Sequence, residues 1–216
     1  MKLNHTHNNY IELDRRFKKI DPTKGSEEAA LDSYTAGFLG HEKTLGWKEL
    51  LEQQLVVVVG EAGSGKTREF QTQTKKLNSQ GIPAFFVPLD RLVDESLESI
   101  LDGQELKQFK KWNQGNLEAV FFLDSVDEAK FHKITDFLTA LDRFRKSFSY
   151  RNLQRLKLIV SSRITEWRPQ TDAYELTKRF LIHPQSNKDS TNSKKSLLVV
   201  QLEPLDHTRV ELFARE

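Results

Sequence analysis

Short apolar runs alternate along this chain with longer stretches in which apolar residues recur at helical spacing. The apolar runs are rich in branched and aromatic residues and predict five strands, at 55–59, 82–89, 119–123, 156–160 and 197–202. The periodic stretches predict helices at 46–53, 68–77, 91–111, 129–148 and 206–215. Because strands and helices alternate, we expect an α/β fold with a mainly parallel sheet covered by helices on both faces.

Two of the runs also indicate where a strand lies in the sheet. Pro83 and Pro88 stand near the ends of the second run. Proline cannot donate a ladder hydrogen bond, so this strand is expected at an outer position. The third run is continuously apolar, which is typical of a strand buried on both faces. Asp102-Gly103 interrupts the periodic stretch at 91–111 and predicts a break in the helix there.

The first 35 residues are expected to form a tail and one helix ahead of the core. Four apolar residues at helical spacing predict this helix over 10–20, namely Tyr10, Leu13, Phe17 and Ile20. Asp21-Pro22 would end it, and 24–30 reads as a linker. The helix is basic and amphipathic, so docking against the core and docking against a partner chain are both open. The core is placed at 36–216.

Composition argues against several classes of protein, among them nucleic-acid-binding, disulfide-bonded and membrane-spanning proteins. With 33 basic and 31 acidic residues the net charge is +2, which gives no electrostatic case for nucleic acid as the main partner. The chain has no cysteine, so disulfides and thiolate metal sites are excluded and a cytoplasmic location is expected. The polar N-terminus does not match a signal peptide. No apolar run approaches the roughly 20 residues that span a bilayer, so no membrane partner is expected.

Residues 60–67, with the sequence GEAGSGKT, lie between the first predicted strand and a predicted helix. They match G-x-x-x-x-G-K-S/T, the Walker A phosphate-binding loop, in the setting where that pattern is specific. Glycines let backbone N–H groups approach phosphate oxygens, and the helix N-terminus adds positive potential. Lys66 would reach the β- and γ-phosphates, and the Thr67 hydroxyl would hold Mg²⁺. The predicted nucleotide-binding residues are Gly60, Glu61, Ala62, Gly63, Ser64, Gly65, Lys66, Thr67 and Arg68.

Acidic residues directly follow the third predicted strand. A carboxylate at the end of such a strand, beside a phosphate loop, holds Mg²⁺ in phosphoryl transfer, and Asp124 is predicted to do so. Asp127 and Glu128 follow, where a carboxylate could orient a water molecule at the γ-phosphate. The same pair suits a helix N-terminus, and this alternative stays open. Arg163, near the end of the fourth predicted strand, could donate to phosphate oxygens or pair with a surface carboxylate.

The spacing of Asp124, Asp127 and Glu128 resembles the Walker B segment of the NACHT clade of STAND NTPases. AAA+ proteins usually carry the two acids adjacent at the strand end. Segment 159–163 (IVSSR) looks like the NACHT strand that ends in an arginine sensing γ-phosphate. Segment 199–205 is similar to the one that leads out of the NACHT core. On this resemblance Lys66, Asp124, Asp127, Glu128 and Arg163 are the expected catalytic residues.

A second box strengthens the resemblance. Segment 38–42 (FLGHE) is similar to the Phe-Val-Gly-Arg-Glu box that packs near adenine in AAA+ and STAND proteins. Phe38, Leu39 and Gly40 are therefore expected nucleotide contacts, while His41 stands where the family has arginine. The chain carries no N/T-K-x-D guanine motif, so adenine is favoured.

The resemblance implies a sheet of order 5-1-4-3-2 (the ASCE type of P-loop NTPase) that binds ATP or dATP with Mg²⁺. STAND relatives hydrolyse slowly and use the nucleotide to gate oligomerisation, and bacterial NACHT proteins often act in phage defence. Two alternatives stay open: an AAA+-like ATPase that turns over continuously, and a nucleotide-dependent interaction module that does not hydrolyse. Such proteins continue into a winged-helix region and sensor domains. We therefore expect a truncated core whose self-association or protein partners depend on domains not present here.

Overall fold

The computed structural model of the chain describes residues 15–21, 44–124, 134–181 and 196–205. Within these ranges the strands are β1 (Phe17–Lys19), β2 (Thr44–Leu45), β3 (Leu55–Gly60), β4 (Ala84–Pro88), β5 (Ala119–Asp124), β6 (Leu156–Arg163) and β7 (Leu197–Leu202). The α-helices are α1 (Trp47–Leu51), α2 (Lys66–Ser79), α3 (Leu97–Ile100), α4 (Gly103–Gln114), α5 (Ile134–Lys146), α6 (Tyr150–Gln154) and α7 (Pro169–Phe180). A 3-10 helix covers Asp90–Val93.

The strands form one sheet of order β2-β1-β7-β3-β6-β5-β4. The five strands from β7 to β4 are parallel, whereas β1 pairs antiparallel with both β7 and β2. The expected five-strand order 5-1-4-3-2 is thus confirmed, and two short strands, β1 and β2, extend the sheet beyond β7. The proline-flanked strand β4 lies at the edge, as predicted.

Two apolar layers cover the parallel strands. Residues of β3 and β5 are buried along their whole length, and successive side chains enter opposite layers. One layer contains Val56, Val58, Phe122 and the α2 residues Phe70 and Leu77. The other contains Val57, Val59, Phe121 and residues of α4, α5 and α7, among them Phe109, Phe144 and Phe180. The sheet is therefore the middle of three layers.

The predicted N-terminal helix is wrong over Phe17–Lys19, where the chain forms strand β1. Phe17 lies opposite Leu202, and the Ile20 N–H donates to the Val199 carbonyl at 3.0 Å. Phe17 packs in the layer with Phe70, whereas Ile20 packs in the opposite layer. A spacing of three looked helical, but in extended chain it sends two apolar side chains to opposite faces. The residues before Arg15, including Tyr10 and Leu13, lie outside the described residues.

The helices follow the predictions with local differences. The stretch 91–111 divides at Asp102-Gly103 as expected, and Gly103 has φ 37°. It divides again before α3, where the Ser96 hydroxyl accepts from the Ser99 N–H at 3.2 Å. Helices α6 and α7 were not predicted; α7 begins with Pro169 at its first position. Predicted helix 206–215 lies outside the described ranges, within which no helix is long and apolar enough to span a bilayer.

We expect Phe17→Ala to lower the free energy of unfolding by about 3–5 kcal/mol, because it removes a fully buried ring. That ring lies 5.0 Å, edge to face, from Trp47. Urea unfolding of the variant and of Tyr150→Ala, whose side chain is exposed, measures this. A loss no greater than that of Tyr150→Ala would show that Phe17 lies outside the core.

Candidate functional site

The loop between β3 and α2 has the backbone that a phosphate-binding loop requires. Gly63 and Gly65 have φ of 74° and 88°, in the left-handed region that favours glycine. Gly65 is also the N-cap of α2, so the first N–H groups of a 14-residue helix begin at the loop. A Cβ at Gly60 would lie 3.1 Å from Ser64 Oγ, so a larger residue there would have to displace that hydroxyl. The predicted loop at 60–67 is therefore formed.

The Lys66 side chain folds back over this loop. Its Nζ donates to the carbonyls of Gly60 and Glu61, each at 2.8 Å, and to Ser64 Oγ at 3.2 Å. The ammonium is thereby held above the backbone turn, beside the N-terminus of α2. A cation fixed there is suited to attract an anion to the loop N–H groups.

Asp124 ends β5 and is only 1% exposed. Its Oδ1 accepts from the Ser161 hydroxyl at 2.5 Å. Its Oδ2 is buried and accepts no hydrogen bond of normal geometry from a described residue. Burial raises the pKa of this carboxyl, against the lowering effects of Ser161, Thr67 and the Lys66 charge.

This environment fits a divalent cation. A buried carboxylate oxygen without a donor, close to a threonine hydroxyl, is a hard oxygen ligand set of the kind that Mg²⁺ takes together with substrate phosphates and water. Thr67 is the second residue of α2 and is close enough to Asp124 to lower its pKa. Thr67 and Asp124, predicted as metal ligands from separate motifs, are thus brought together.

The register of β6 against β3 also places Arg163 near Lys66, Thr67 and Asp124. Arg163 is paired with Gly60 across β3 and β6, so it stands at the start of the phosphate loop. A cavity of about 370 Å³ opens between them. Its lining residues are Ala62, Gly63, Ser64, Gly65, Lys66, Thr67, Arg68, Gln71, Asp124 and Arg163. Most of the predicted loop residues, the predicted metal ligands and the predicted sensor therefore line one cavity.

Sequence analysis assigned no role in the site to three residues that lie near this cavity. Ser161 positions Asp124, and its place in the Ser-Ser-Arg segment was the available signal. Asp90 follows β4, and its charge adds to the pKa rise of Asp124, so it lies near the metal-ligand candidates. Arg15 donates to the Ser64 carbonyl at 3.1 Å from the other side of the loop. Nothing in the sequence pattern indicated this contact, because the basic segment matched a helix.

Five predicted site residues cannot be placed. Asp127 and Glu128, the candidates for orienting water, lie outside the described residues, as do the expected adenine contacts Phe38, Leu39 and Gly40. Their roles remain predictions.

Comparison with known proteins adds little to the geometry. No model of a known protein family matches the chain, and no curated protein matches it. One solved structure that the chain matches is the crystal structure of a DNA replication initiation factor, at 16% identity and a TM-score of 0.42. The match covers 91% of this chain and 54% of that one, so the chain spans about half its neighbour's length. The P-loop NTPase type of fold follows from the sheet order and the phosphate loop.

We expect Asp124→Asn to raise the melting temperature by about 2–4 °C in magnesium-free buffer at pH 7. The amide keeps the contact with Ser161 and removes a buried charge whose raised pKa destabilises the folded state. The folded protein binds this proton more tightly than the unfolded chain. The wild type therefore loses stability relative to the variant as pH rises above about 3.9.

Asp142→Asn serves as the control, because Arg179 lowers the pKa of Asp142 and its charge favours folding. Calorimetric melting temperatures should rise for the Asp124 variant and not for the Asp142 variant. A lower melting temperature for Asp124→Asn would show that the interactions of this carboxylate outweigh the cost of its burial.

Proposed function

We propose that this chain is the nucleotide-binding core of a NACHT-type STAND NTPase that binds ATP with Mg²⁺ and hydrolyses it slowly. The observation that carries the proposal is the convergence of the phosphate loop, Lys66, Asp124 and Arg163 on one cavity. Three segments far apart in the sequence, namely the loop with Lys66, the end of β5 and the end of β6, supply the donors, cation and carboxylate that phosphoryl transfer needs. The NACHT assignment rests on the residue spacing after Asp124 and on the Ser-Ser-Arg segment.

In this proposal the loop N–H groups bind the phosphate oxygens and Lys66 offsets their charge. Thr67 and Asp124 hold Mg²⁺, which neutralises phosphate charge when bound. Asp127 or Glu128 orients the water that bonds to the γ-phosphorus while the bond to the bridging oxygen breaks. Arg163 donates to the γ-phosphate oxygens and offsets the charge that develops there.

We also propose that the bound nucleotide acts as a molecular switch. Slow hydrolysis would leave the bound nucleotide in place long enough for its state to gate self-association or a protein partner. A cytoplasmic role in antiviral defence is part of the same proposal. The two alternatives are continuous AAA+-like turnover and nucleotide-dependent binding without hydrolysis.

Lys66→Ala should weaken MgATP binding at least about tenfold, because it removes a cation held at the phosphate loop. Isothermal titration with MgATP, MgADP and MgGTP measures this for the wild type and the variant. Lys75→Ala is the matched control, since Lys75 is an exposed lysine on the same helix. Adenine-selective binding lost only in the Lys66 variant is expected. Equal affinities of the two variants would overturn the loop's proposed role.

Replacing Asp127 by Asn and Glu128 by Gln together should reduce phosphate release about 100-fold or more and leave MgATP affinity within twofold. The substitutions remove the carboxylates that orient water while keeping their size. Phosphate release over hours and equilibrium titration measure the two quantities. Unchanged, negligible release in wild type and variant would favour a pure binding module. Rapid wild-type turnover would favour the continuous ATPase.

A further inference from the structure

Arg15, just before β1, links the N-terminal strand to the phosphate loop. Its side chain is buried, with the residue only 7% exposed, and one nitrogen, Nη2, donates to two backbone carbonyls. These are Ser64 O in the loop at 3.1 Å and Glu203 O just after β7 at 3.2 Å. A buried guanidinium that spans three segments restricts their relative positions.

The Arg15 position is set by strand pairing and packing. Phe17, two residues along, pairs with Leu202 and is fully buried. The Glu203 N–H donates to the Arg16 carbonyl at 3.0 Å, which extends the pairing to the level of Arg15. The guanidinium is thus held from β1, outside the cavity in which the nucleotide would bind.

The contact with Ser64 fixes the orientation of one peptide unit. In a planar trans peptide the carbonyl and the following N–H point in opposite directions. A guanidinium that holds the Ser64 carbonyl therefore aims the Gly65 N–H away from Arg15. Gly65 has φ 88°, so the backbone freedom of a glycine on one side of this peptide would otherwise help it to turn. The Gly65 N–H belongs to the loop that lines the cavity.

We propose that Arg15 is a positioning residue that orients the Ser64–Gly65 peptide for a nucleotide polyphosphate and couples docking of strand β1 to nucleotide occupancy. The coupling rests on the nucleotide binding proposed above. By linkage, if docked β1 strengthens nucleotide binding, bound nucleotide strengthens the docking of β1 by the same factor. The N-terminal strand then becomes the element through which the nucleotide site communicates with whatever precedes it.

The test compares Arg15→Ala with Arg16→Ala, a neighbouring exposed arginine whose removal changes the charge equally. Arg15→Ala should weaken MgATP binding about tenfold, Arg16→Ala less than twofold, and Arg15→Lys should recover part of the loss. In hydrogen exchange, MgATP should slow the amides of 15–21 in the wild type but not in Lys66→Ala. Equal affinities of the two alanine variants would overturn the proposal. Unchanged exchange at 15–21 on MgATP binding would overturn the coupling.

Failure of the proposed function is distinguishable from failure of this inference. If the wild type binds no MgATP, the proposed function fails. Exchange of the loop amides at 60–67 without nucleotide still tests the orienting contact: faster exchange in Arg15→Ala than in Arg16→Ala supports it, and equal exchange overturns it. If Arg15→Ala does not fold, Arg15→Lys takes its place in the affinity and loop-exchange comparisons with Arg16→Ala. The exchange response of residues 15–21 in the wild type still tests the coupling.

Discussion

The parallel register of the central strands is the constraint on which the candidate site depends. Pairing of β3 with β6 sets Gly60 beside Arg163, and pairing of β5 with β6 sets Leu123 beside Val160. Asp124 and Ser161 follow at the same level, so both reach the edge at which the phosphate loop begins. A slip of one residue would send each side chain to the opposite face. The two apolar layers exclude such a slip, because they would then receive the polar strand ends.

The same register lowers the stability of the folded protein at Asp124. The register that fixes the carboxylate beside Ser161 also removes it from water, and one hydroxyl donor satisfies only one of its oxygens. A residue chosen for stability alone would not place an incompletely compensated charge at a buried strand end. Natural proteins keep such residues where a ligand completes the environment. The raised pKa of Asp124 and its closeness to Thr67 are therefore consistent physical signs of a binding site.

Much of the fold could be predicted because its signals are local. Each parallel strand is a compact apolar run, and the phosphate loop is set by glycine and lysine within eight residues. The misassigned segment shows the limit, because Phe17 and Ile20 fit a helix as well as an extended chain that reaches both layers. Only pairing with β7, some 180 residues away, decides between them. The Arg15 contact depends on the same distant packing, so periodicity could not reveal it.

Ser64 is contacted both from within the phosphate loop and from the N-terminal strand. A change at the nucleotide site could therefore reach β1 through this residue. Lys66 Nζ donates to the Ser64 hydroxyl, and Arg15 donates to the Ser64 carbonyl. If Lys66 exchanges loop oxygens for phosphate oxygens, one of these two restraints on Ser64 changes while the other persists. Hydrogen bonds from charged donors contribute about 1.5–3 kcal/mol each. A fraction of that energy is enough for a tenfold change in affinity, which lies within the usual range of coupling between sites. A nucleotide can shift the docking of β1 only through a contact whose energy differs between the free and the bound state. Ser64, which both Lys66 and Arg15 contact, offers such a contact if nucleotide binding alters the Lys66 hydrogen bond.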